Sequence, residues 1–307
     1  PLRWTGYTGG GFSRISVNPS LSIIYKLNYA WRFTAHASYK ERYGEMTDLY
    51  DRPYQTDYRN SVWNCGILPV YRQQLYSVYG EYKNTAREFF ATVNLTHNRE
   101  WYNRIYEQRI ENGQVQRVSL PLSNHGSGYT VKSTLSKGFY ELGLKTSFLV
   151  LLNISKAEQI SGGQRLPYQY RLMRLEPKVI WTPNRHWETS YQTDIRYGGN
   201  KIGERTRLAP LWNVTQQVQL SYIFSPIEAS LSVDHYHNDV NEDQSVNAVF
   251  ADFSVSWKSG RWQITTTATN LFDKRTYAYT QYASLESYTS WVRIRPREFL
   301  VAIRYQL

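Results

Sequence analysis

The stretch EFLVAIRYQL, residues 298–307, alternates two kinds of side chain along its length. One set of alternate positions is apolar or aromatic throughout and comprises Phe299, Val301, Ile303, Tyr305 and Leu307. The positions between them include Arg304 and Gln306. Successive side chains of a β-strand point to opposite faces of the sheet, so this alternation predicts a strand with one continuous apolar face. What that apolar face contacts decides the class of protein.

The same alternation recurs along the chain in pairs of strands joined by short turns. The first pair runs from Ile15 to Leu27 and from Trp31 to Tyr39. Further short turns are predicted, and they are centred on Asn84, Lys137-Gly138, Pro183-Asn184, Ser225-Pro226 and Ser259-Gly260. With a final strand from about Tyr288 to Leu307, the pattern predicts about 13 antiparallel strands.

Longer polar stretches separate these hairpins, and they occupy residues 44–66, 98–127, 156–167, 198–209, 238–246 and 273–287. Short turns and long loops therefore alternate along the chain, which places them at opposite ends of the strands. A soluble β-sandwich has strands of about 5 or 6 residues and does not sort its connections by length in this way.

Aromatic residues make up 16% of the chain and gather beside the short turns. They are Tyr29, Trp31, Tyr82, Phe89, Phe139, Tyr140, Trp181, Trp187, Tyr222, Phe224, Trp257 and Trp262. A belt of rings at one level, with an apolar outward band and a polar inward face, is typical of a transmembrane β-barrel. The predicted fold is therefore an all-β, transmembrane antiparallel β-barrel with short periplasmic turns and long extracellular loops. The alternative is a large soluble β-protein, such as a carbohydrate-binding one.

Composition excludes several other classes of protein. No run approaches the roughly 20 apolar residues of a transmembrane helix, and the N-terminal stretch lacks the pattern of a signal peptide. Cys65 is the single cysteine, so no internal disulfide or cysteine-based zinc site can form. The net charge of +11 is scattered along the chain. The aromatic residues take the apolar face and the basic residues the polar one, which argues against a nucleic-acid partner.

Three segments carry a resemblance to a known family. ATNLFDKRTYAYTQY, residues 268–282, and RIRPREFLVAIRYQL, residues 293–307, resemble the closing strands of TonB-dependent outer-membrane receptors, particularly those of Bacteroidetes. YGEMTDLYDRPYQTDYRN, residues 43–60, is similar to a segment from the middle of such barrels. The resemblance implies a location in the Gram-negative outer membrane. It also implies uptake of a scarce solute, which could be a siderophore, haem, a vitamin, a peptide or a glycan.

The same resemblance implies partners and missing parts. Receptors of this family have about 22 strands around a plug, so the chain is expected to be the C-terminal portion of one barrel domain over residues 1–307. The plug, which contacts the TonB-type energising complex, and the other strands would lie upstream or on a second chain. Membrane lipid and lipopolysaccharide would surround the barrel. A surface lipoprotein partner is less favoured, because the segment after NLF lacks the glycine-tyrosine-aspartate sequence of glycan importers.

The resemblance further implies that the last strand carries the signal for barrel assembly. That signal is assigned to Phe299, Val301, Ile303, Tyr305 and Leu307. Receptors of this family end in an aromatic residue, whereas this sequence ends in Leu307 with Tyr305 two positions earlier.

Candidate ligand-binding residues lie in the loop at residues 44–64, where rings alternate with charges. They are Tyr50, Tyr54, Tyr58, Trp63, Arg52 and Arg59. Rings offer stacking area and the flanking charges orient a polar solute; alternatively, the loop packs on itself.

Basic residues on the polar face would line the lumen, and they are Arg14, Lys26, Arg32, His36 and Lys40. Alternatively, they pair with carboxylates of the plug.

His235 and His237, near Asp239 and Asp243, share one strand face and form a weak candidate metal site; the alternative is a solvated junction. No catalytic constellation and no cofactor are predicted. The alternative to energised import is a passive porin-like or structural outer-membrane barrel.

Overall fold

The computed structural model consists almost entirely of β-strands, and it describes residues 2–5, 11–111, 114–203, 206–207, 209–282 and 287–306. In chain order the strands are β1 (Leu2–Thr5), β2 (Gly11–Arg14), β3 (Ser20–Lys26), β4 (Trp31–Tyr43), β5 (Tyr54–Gln55), β6 (Asn60–Trp63), β7 (Val70–Asn84), β8 (Phe89–Tyr102), β9 (Ile105–Glu111), β10 (Gln114–Leu120), β11 (Asn124–Phe139), β12 (Leu144–Ser161), β13 (Gln164–Asn184), β14 (Trp187–Ile202), β15 (Thr206–Arg207), β16 (Leu211–Phe224), β17 (Ile227–Asp239), β18 (Ser245–Ser259), β19 (Trp262–Thr269), β20 (Thr276–Tyr282), β21 (Ser287–Arg293) and β22 (Glu298–Tyr305). Two short 3-10 helices cover Met46–Leu49 and Tyr140–Leu142. In the described part of the chain, no helix is long and apolar enough to cross a bilayer.

Thirteen of the described strands form one curved antiparallel wall. They pair in the order β3, β4, β7, β8, β11, β12, β13, β14, β16, β17, β18, β19 and β22. Every second connection is a short turn, and the connections between them lie at the opposite end of the wall. The prediction of an antiparallel β-barrel with about 13 strands is confirmed.

The register brings the apolar positions of neighbouring strands into common rows. Ala35 lies opposite Val78, which lies opposite Leu95, and the row continues through Val131 to Leu152. Val78, Leu95 and Leu152 remain 53%, 48% and 41% exposed although both neighbouring strands are present. The apolar face of the wall is therefore an outer surface, which is the arrangement that a bilayer requires.

The polar face is the concave one, as the position of the β20–β21 hairpin demonstrates. This hairpin leaves the wall between β19 and β22, yet β20 contacts β14, β16, β17 and β18. Its contacts lie on the polar face, where Ala278 and Thr280 are almost completely buried and Asn238 Nδ2 donates to the Ala278 carbonyl at 3.1 Å. A hairpin can reach back across these strands only if the wall curves with its polar face inside.

Three predicted boundaries are wrong. Lys137 and Gly138 remain paired with β12, and the turn lies at Tyr140–Leu142. The stretch 156–167 is not a long loop, because β12 and β13 continue pairing up to a turn at Gly162 and Gly163. Both glycines have positive φ, as a two-residue hairpin turn requires. The ends of β12 and β13 that flank this turn are polar, so the sequence shows no apolar alternation there. A strand that projects beyond the membrane needs no apolar face.

The third wrong boundary concerns the last strand. The sequence predicts one strand from about Tyr288 to Leu307, whereas the structure divides this region into β21, which pairs with β20, and β22, which pairs with β19. Arg295 and Pro296 lie between the two strands. Proline lacks the backbone N–H that a paired central strand donates, which is consistent with an interruption there.

The two outermost strands of the wall leave it unclosed in the described residues. β22 precedes β3 in the order around the barrel, but no register of paired residues joins them in the part of the chain that the structure describes. Leu21 of β3 and Val301 of β22 are each 61% exposed. Within the part of the chain that the structure describes, the outer side of each edge strand has no strand partner for its backbone N–H and C=O groups.

Candidate functional site at the loop end

The loops at the long-connection end fold into a structured roof over the barrel mouth. The β9–β10 hairpin pairs in parallel with β6 on one side, from Val115 opposite Asn60 onward, and with the end of β12 on the other. Ile105, Val118 and Ile160 are buried together with this roof, at 0%, 5% and 6% exposure. Because both strands of the hairpin are anchored by backbone ladders, the roof is tied to the wall.

Beneath this roof lies a cavity of about 840 Å³. The wall contributes Tyr102 and Tyr168, and the β9–β10 hairpin with its approach contributes Arg104, Tyr106 and Arg117. The other lining residues are Thr56, Asn60, Ser61, Val62, Gln108, Val115, Asn124, Ala157, Glu158 and Gln159. The volume lies in the range of small-molecule sites, and the lining mixes rings with hydrogen-bonding groups as such sites do.

The electrostatic character of the cavity comes from two guanidinium groups on one phenol ring. The centre of the Tyr106 ring lies 3.6 Å from Arg117 Cζ and 5.0 Å from Arg104 Cζ. Arg104 Nη1 also donates to Asp48 Oδ1 at 2.8 Å, whereas Arg117 has no carboxylate partner within the described residues. Burial raises the pKa of Tyr106, while the two guanidinium groups oppose that rise. Tyr106 is therefore a neutral phenol at physiological pH, and Arg117 supplies an unneutralised positive charge.

The carboxylates around this cavity are already engaged by neighbouring side chains. Glu100 accepts hydrogen bonds from the hydroxyls of Tyr71 and Tyr102 at 2.9 and 2.8 Å. Glu158 pairs with Arg165 at 3.2 Å. Because these acids have partners, the cavity favours a ligand that is polar or anionic and that has a flat face for the rings.

The predicted ligand-binding loop lies beside this cavity and supplies different residues to it. Tyr50 and Tyr54 contact each other, with ring centres 6.0 Å apart. Trp63 Nε1 donates to a backbone carbonyl at 2.8 Å. Arg52 is exposed, and Tyr58 is 79% exposed with Arg59 over its ring at 5.3 Å. A binding role for these six residues stays a prediction.

Seven of the residues that line the cavity lie in the stretch 98–127, which the sequence predicts only as a loop. Its segment WYNRIY, residues 101–106, alternates rings with an arginine in the same manner as the predicted loop. That pattern could have drawn attention to the segment. The convergence with Arg117 and Tyr168 depends on pairing between distant segments, which the pattern does not contain.

The predicted lumen residues lie on the concave face where the structure describes them. Arg32 pairs with Glu81 of the neighbouring strand at 2.6 Å, and His36 Nδ1 lies 2.8 Å from Ser22 Oγ. Lys26 and Lys40 follow the same alternation on β3 and β4. The side chain of Arg14 lies outside what the structure describes. For Arg32, a carboxylate of the wall itself supplies the partner that the plug was expected to supply.

A second ion network on the concave face was not predicted. Asp194 accepts from Arg174 at 3.0 Å and from Arg196 at 2.6 Å, and Arg174 also pairs with Glu176. The β20–β21 hairpin covers this network and encloses a cavity of about 550 Å³ whose lining includes Tyr277. The hairpin therefore covers the concave face over β14 to β18, next to the strands that carry the roof.

His235 and His237 share a strand face as predicted, and that face is the outward one. Their Nδ1 atoms lie 3.2 Å from Gln216 Oε1 and 2.9 Å from Asn247 Oδ1. His237 Nε2 lies 3.4 Å from Asp239. In the described residues, no three His, Cys, Asp or Glu side chains converge as a metal site needs.

The assembly residues Phe299, Val301, Ile303 and Tyr305 lie on the outward face of β22, and all four are exposed. The Tyr305 ring contacts Trp262 with a centre distance of 4.7 Å. Leu307 lies outside the described residues. The assembly role of this set stays a prediction.

A second, partial belt of rings lies on the outward face near the loop end. His97 stacks between Tyr76 and Tyr129 at 6.4 and 4.2 Å, and Tyr197 contacts Trp212 at 4.8 Å. Tyr129, Tyr197 and Trp212 lie ten residues along their strands from Phe139, Trp187 and Tyr222 of the belt beside the short turns, which is about 23 Å for strands tilted by about 45°. Tyr76 and His97 lie six and eight residues from Tyr82 and Phe89. On the strands with the ten-residue separation, the apolar band between the two belts matches the height expected of a membrane-spanning barrel.

No protein-family model and no curated protein matches the chain. Among solved structures, the chain is similar to the ferric yersiniabactin uptake receptor FyuA from Yersinia pestis, with 8% identity, a TM-score of 0.48, and coverage of 94% of this chain and 50% of that one. It is also similar to P. aeruginosa FpvA in complex with a pyoverdine and iron, with 10% identity, a TM-score of 0.48, and coverage of 93% and 44%. A third similar structure is the siderophore receptor PirA from Acinetobacter baumannii, with 8% identity, a TM-score of 0.41, and coverage of 82% and 52%. The chain spans about half the length of these receptors.

Proposed function

We propose that this chain is part of a barrel in the Gram-negative outer membrane that binds a scarce solute at its mouth and imports it. The exposed apolar band between two aromatic belts supports the membrane location. The roofed cavity of about 840 Å³ carries the proposal of a receptor, because an open diffusion pore has no need of an anchored roof over its entrance.

The charges of the cavity favour an anionic or strongly polar ligand. Arg117 is stacked on Tyr106 and has a guanidinium without a carboxylate partner in the described residues. An arginine held in this way offers planar donors for carboxylate, phosphate or hydroxamate-like oxygens. Siderophores, haem, peptides and phosphate-bearing vitamins present such oxygens, and a glycan does so when it carries acidic sugars. Tyr50, Tyr54, Tyr58 and Trp63, with Arg52 and Arg59, would extend the ligand contacts outward from the cavity.

Energised transport is the further part of the proposal. It rests on the resemblance of residues 268–282 and 293–307 to the closing strands of TonB-dependent receptors. In this proposal a plug and the other barrel strands are encoded upstream or on a second chain, and the TonB-type complex acts through the plug. A surface lipoprotein would join the proposed receptor only if the solute is a glycan.

The test is accumulation of radiolabelled solutes in cells that express the complete receptor, with and without the inner-membrane energising complex. The panel comprises a ferric siderophore, haem, cobalamin and a maltooligosaccharide. We expect one panel member to accumulate only when the energising complex is present. Equal accumulation without the complex would establish a passive barrel instead, and accumulation of none of the four would contradict import of these classes.

The cavity itself is tested with Arg117→Gln in the same assay. Because Arg117 supplies the unneutralised charge, its loss should weaken binding of an anionic solute about tenfold or more, as expected for a charge-assisted hydrogen bond. Arg261→Gln, at a short turn of the opposite end, removes the same charge and should leave uptake unchanged. If both variants reduced uptake equally, the cavity would not be the binding site.

A further inference from the structure

The carboxylate of Glu100 is the centre of a hydrogen-bond cluster at the loop end of the concave face. Its Oε1 accepts from the Tyr71 hydroxyl at 2.9 Å, from Gln73 Nε2 at 3.1 Å and from Asn98 Nδ2 at 3.0 Å. Its Oε2 accepts from the Tyr102 hydroxyl at 2.8 Å. The two oxygens therefore have different surroundings, because the amide donors and Tyr71 gather at Oε1 while Tyr102 binds Oε2.

The two phenols that donate to Glu100 differ in what lies on their other side. Tyr71 and Tyr102 are opposite each other on β7 and β8, with ring centres 5.0 Å apart. Tyr102 lines the cavity of about 840 Å³, whereas Tyr71 does not. Tyr71 instead has the guanidinium of Arg42 at 6.0 Å from its ring centre. Tyr71 therefore makes the same bond to Glu100 as Tyr102 without access to a ligand in the cavity.

The bond to Glu100 decides which way the hydroxyl proton of Tyr102 points. A phenol has one proton to donate and lone pairs that accept, whereas an ionised carboxylate can only accept. Burial and the hydrogen bond to Glu100 both raise the pKa of Tyr102, so the phenol keeps its proton. Because that proton is directed to Glu100, the side of the Tyr102 oxygen that faces the cavity can only accept a hydrogen bond.

The cavity thus has two ends of opposite hydrogen-bonding character. Arg117, which is 3.6 Å from the centre of the Tyr106 ring, is a donor with no acceptor atom. Tyr168 lines the cavity within electrostatic range of both ends. Burial raises the pKa of Tyr168, the charge of Glu100 adds to that rise, and the charge of Arg117 opposes it. A ligand in the cavity therefore meets donors at Arg117 and an acceptor at Tyr102.

We propose that Glu100 is a positioning residue that sets the specificity of the cavity by directing the Tyr102 proton away from the ligand. The site then selects a solute that carries an anionic group at one end and an N–H or O–H donor at the other. This inference rests on the proposed role of the cavity as the ligand site. It goes beyond that role because it assigns the second group that the solute must carry.

Glu100→Gln should reverse the polarity of the Tyr102 hydroxyl. The amide oxygen of the new side chain would remain at the Oε1 position, where Tyr71, Gln73 and Asn98 donate to it. The amide nitrogen would then occupy the Oε2 position and donate to the Tyr102 oxygen. Because that oxygen would now accept from residue 100, its own proton would turn toward the cavity.

The test measures binding of two probes to the complete protein, purified in detergent, by equilibrium dialysis. The probes are indole-5-carboxylate and benzofuran-5-carboxylate, which have nearly the same shape and the same carboxylate. The indole presents a ring N–H donor where the benzofuran presents a ring oxygen. The variants are Glu100→Gln and Tyr102→Phe, and the matched control is Tyr71→Phe, which removes the same bond to Glu100 outside the cavity.

We expect the unaltered protein to bind the indole about tenfold more tightly than the benzofuran, because only the indole can donate to Tyr102. Tyr102→Phe should abolish this preference, and Glu100→Gln should abolish or reverse it. Tyr71→Phe should retain it. The ratio of the two affinities is compared within each protein, so a general loss of stability in a variant would not change it.

A preference that survives in Glu100→Gln, or that falls equally in Tyr71→Phe, would overturn the role of Glu100. Equal binding of the two probes by the unaltered protein would overturn the selection of a donor. Arg117→Gln should weaken both probes and leave their ratio unchanged, so this variant separates the anion end of the cavity from the donor end. If neither probe bound the unaltered protein, the anion site and this inference would both be wrong. Since dialysis requires no transport, the energised-import proposal is judged by the uptake assay alone.

Discussion

At the scale of single residues, position on the wall decides what each side chain contacts. Val218 and Ser232 lie on adjacent paired strands and at nearly the same height, since Val218 is opposite Val233 and Gln219 is opposite Ser232. Val218 belongs to the outward set, about halfway between the rings of Trp212 and Tyr222. Ser232 belongs to the concave set. Two neighbouring positions therefore face hydrocarbon and the lumen respectively.

This difference predicts the outcome of introducing a charge. Val218→Arg should lower the free energy of unfolding by about 2–4 kcal/mol, because the guanidinium would lie near the middle of the bilayer. Ser232→Arg should change it by less than about 1 kcal/mol, because the lumen is polar. Urea unfolding in lipid vesicles, followed by tryptophan fluorescence, measures both. Equal destabilisation by the two variants would contradict the assignment of the faces.

Asn270 shows how one residue can organise a connection. Its side chain donates to the backbone carbonyls of Lys274 and Arg295, each at 2.8 Å, and accepts from the Lys274 backbone N–H at 2.9 Å. Its φ of 50° lies in the left-handed region, which asparagine tolerates better than most residues. Asn270 is the first residue of the NLFD segment whose resemblance to receptors was noted in the sequence. In this structure the segment closes the base of the β20–β21 hairpin.

At the scale of elements, the β20–β21 hairpin combines a buried tip contact with an exposed base. Thr280 Oγ1 donates to the Val240 carbonyl at 3.1 Å, which fixes the hairpin against the concave face. At the base, Asp273 pairs with Arg275 at 2.9 Å and accepts from the Arg297 backbone N–H at 3.0 Å. Solvent reaches the Asp273 carboxylate, which adds these two contacts at the base to the hydrogen bonds of Asn270.

That arrangement predicts a dependence of hairpin opening on pH. The hydrogen bond from Arg275, with that from the Arg297 backbone, holds the pKa of Asp273 below its ordinary value of 3.8. A folded pKa below the unfolded one means that the stabilisation is complete above pH 3.8 and is lost as the pH falls through the lowered value. The effect is modest and should weaken with salt, because the group is exposed.

Pepsin cleavage within residues 271–297, measured from about pH 5 downward, tests this dependence. The ratio of the cleavage rate of the unaltered protein to that of Asp273→Asn should rise as the pH falls through the lowered pKa of Asp273. Asparagine keeps the left-handed backbone conformation accessible and lacks the charge, so this variant should already be cleaved faster at the higher pH. If the cleavage rate rose by the same factor in both proteins as the pH fell, Asp273 would not contribute to holding the base.

At the scale of the whole molecule, the main energetic question is how the two edge strands of the wall, β3 and β22, satisfy their backbone groups. A strand edge within hydrocarbon leaves backbone groups unsatisfied, each at a cost of several kcal/mol. In the described residues, β22 pairs with β19 and no ladder joins it to β3. We therefore expect further strands to pair with both edges of this wall in the outer membrane.

Amide hydrogen exchange tests that expectation directly. In this chain expressed alone and held in detergent, about half of the β22 amides should exchange quickly, because one side of the strand has no partner. The amides of β12, which is paired on both sides, should be protected. If further strands pair with its open edge in the complete protein, β22 should become as protected as β12. Full protection of β22 in the isolated chain would instead indicate closure against β3 or association of copies.

The sequence by itself determined the wall of this protein. Alternation of period two specifies which side chains share a face, and consecutive antiparallel strands need only local turns, so strand number, faces and the belt beside the short turns followed from local patterns. Boundaries were wrong where that pattern fades, as in the polar extension of β12 and β13 above the membrane.

Only the tertiary structure decided how the mouth is built. The roof depends on parallel pairing of β6 with β10 and of β9 with β12, and the β20–β21 hairpin depends on the curvature that turns the polar face inward. The second belt depends on the register, which aligns residues such as His97 with Tyr129. Such pairings join segments far apart in the chain. Their geometry is set by pairing between distant segments and by the curvature of the wall, and not by any local period, which is the physical reason that the sequence alone did not contain them.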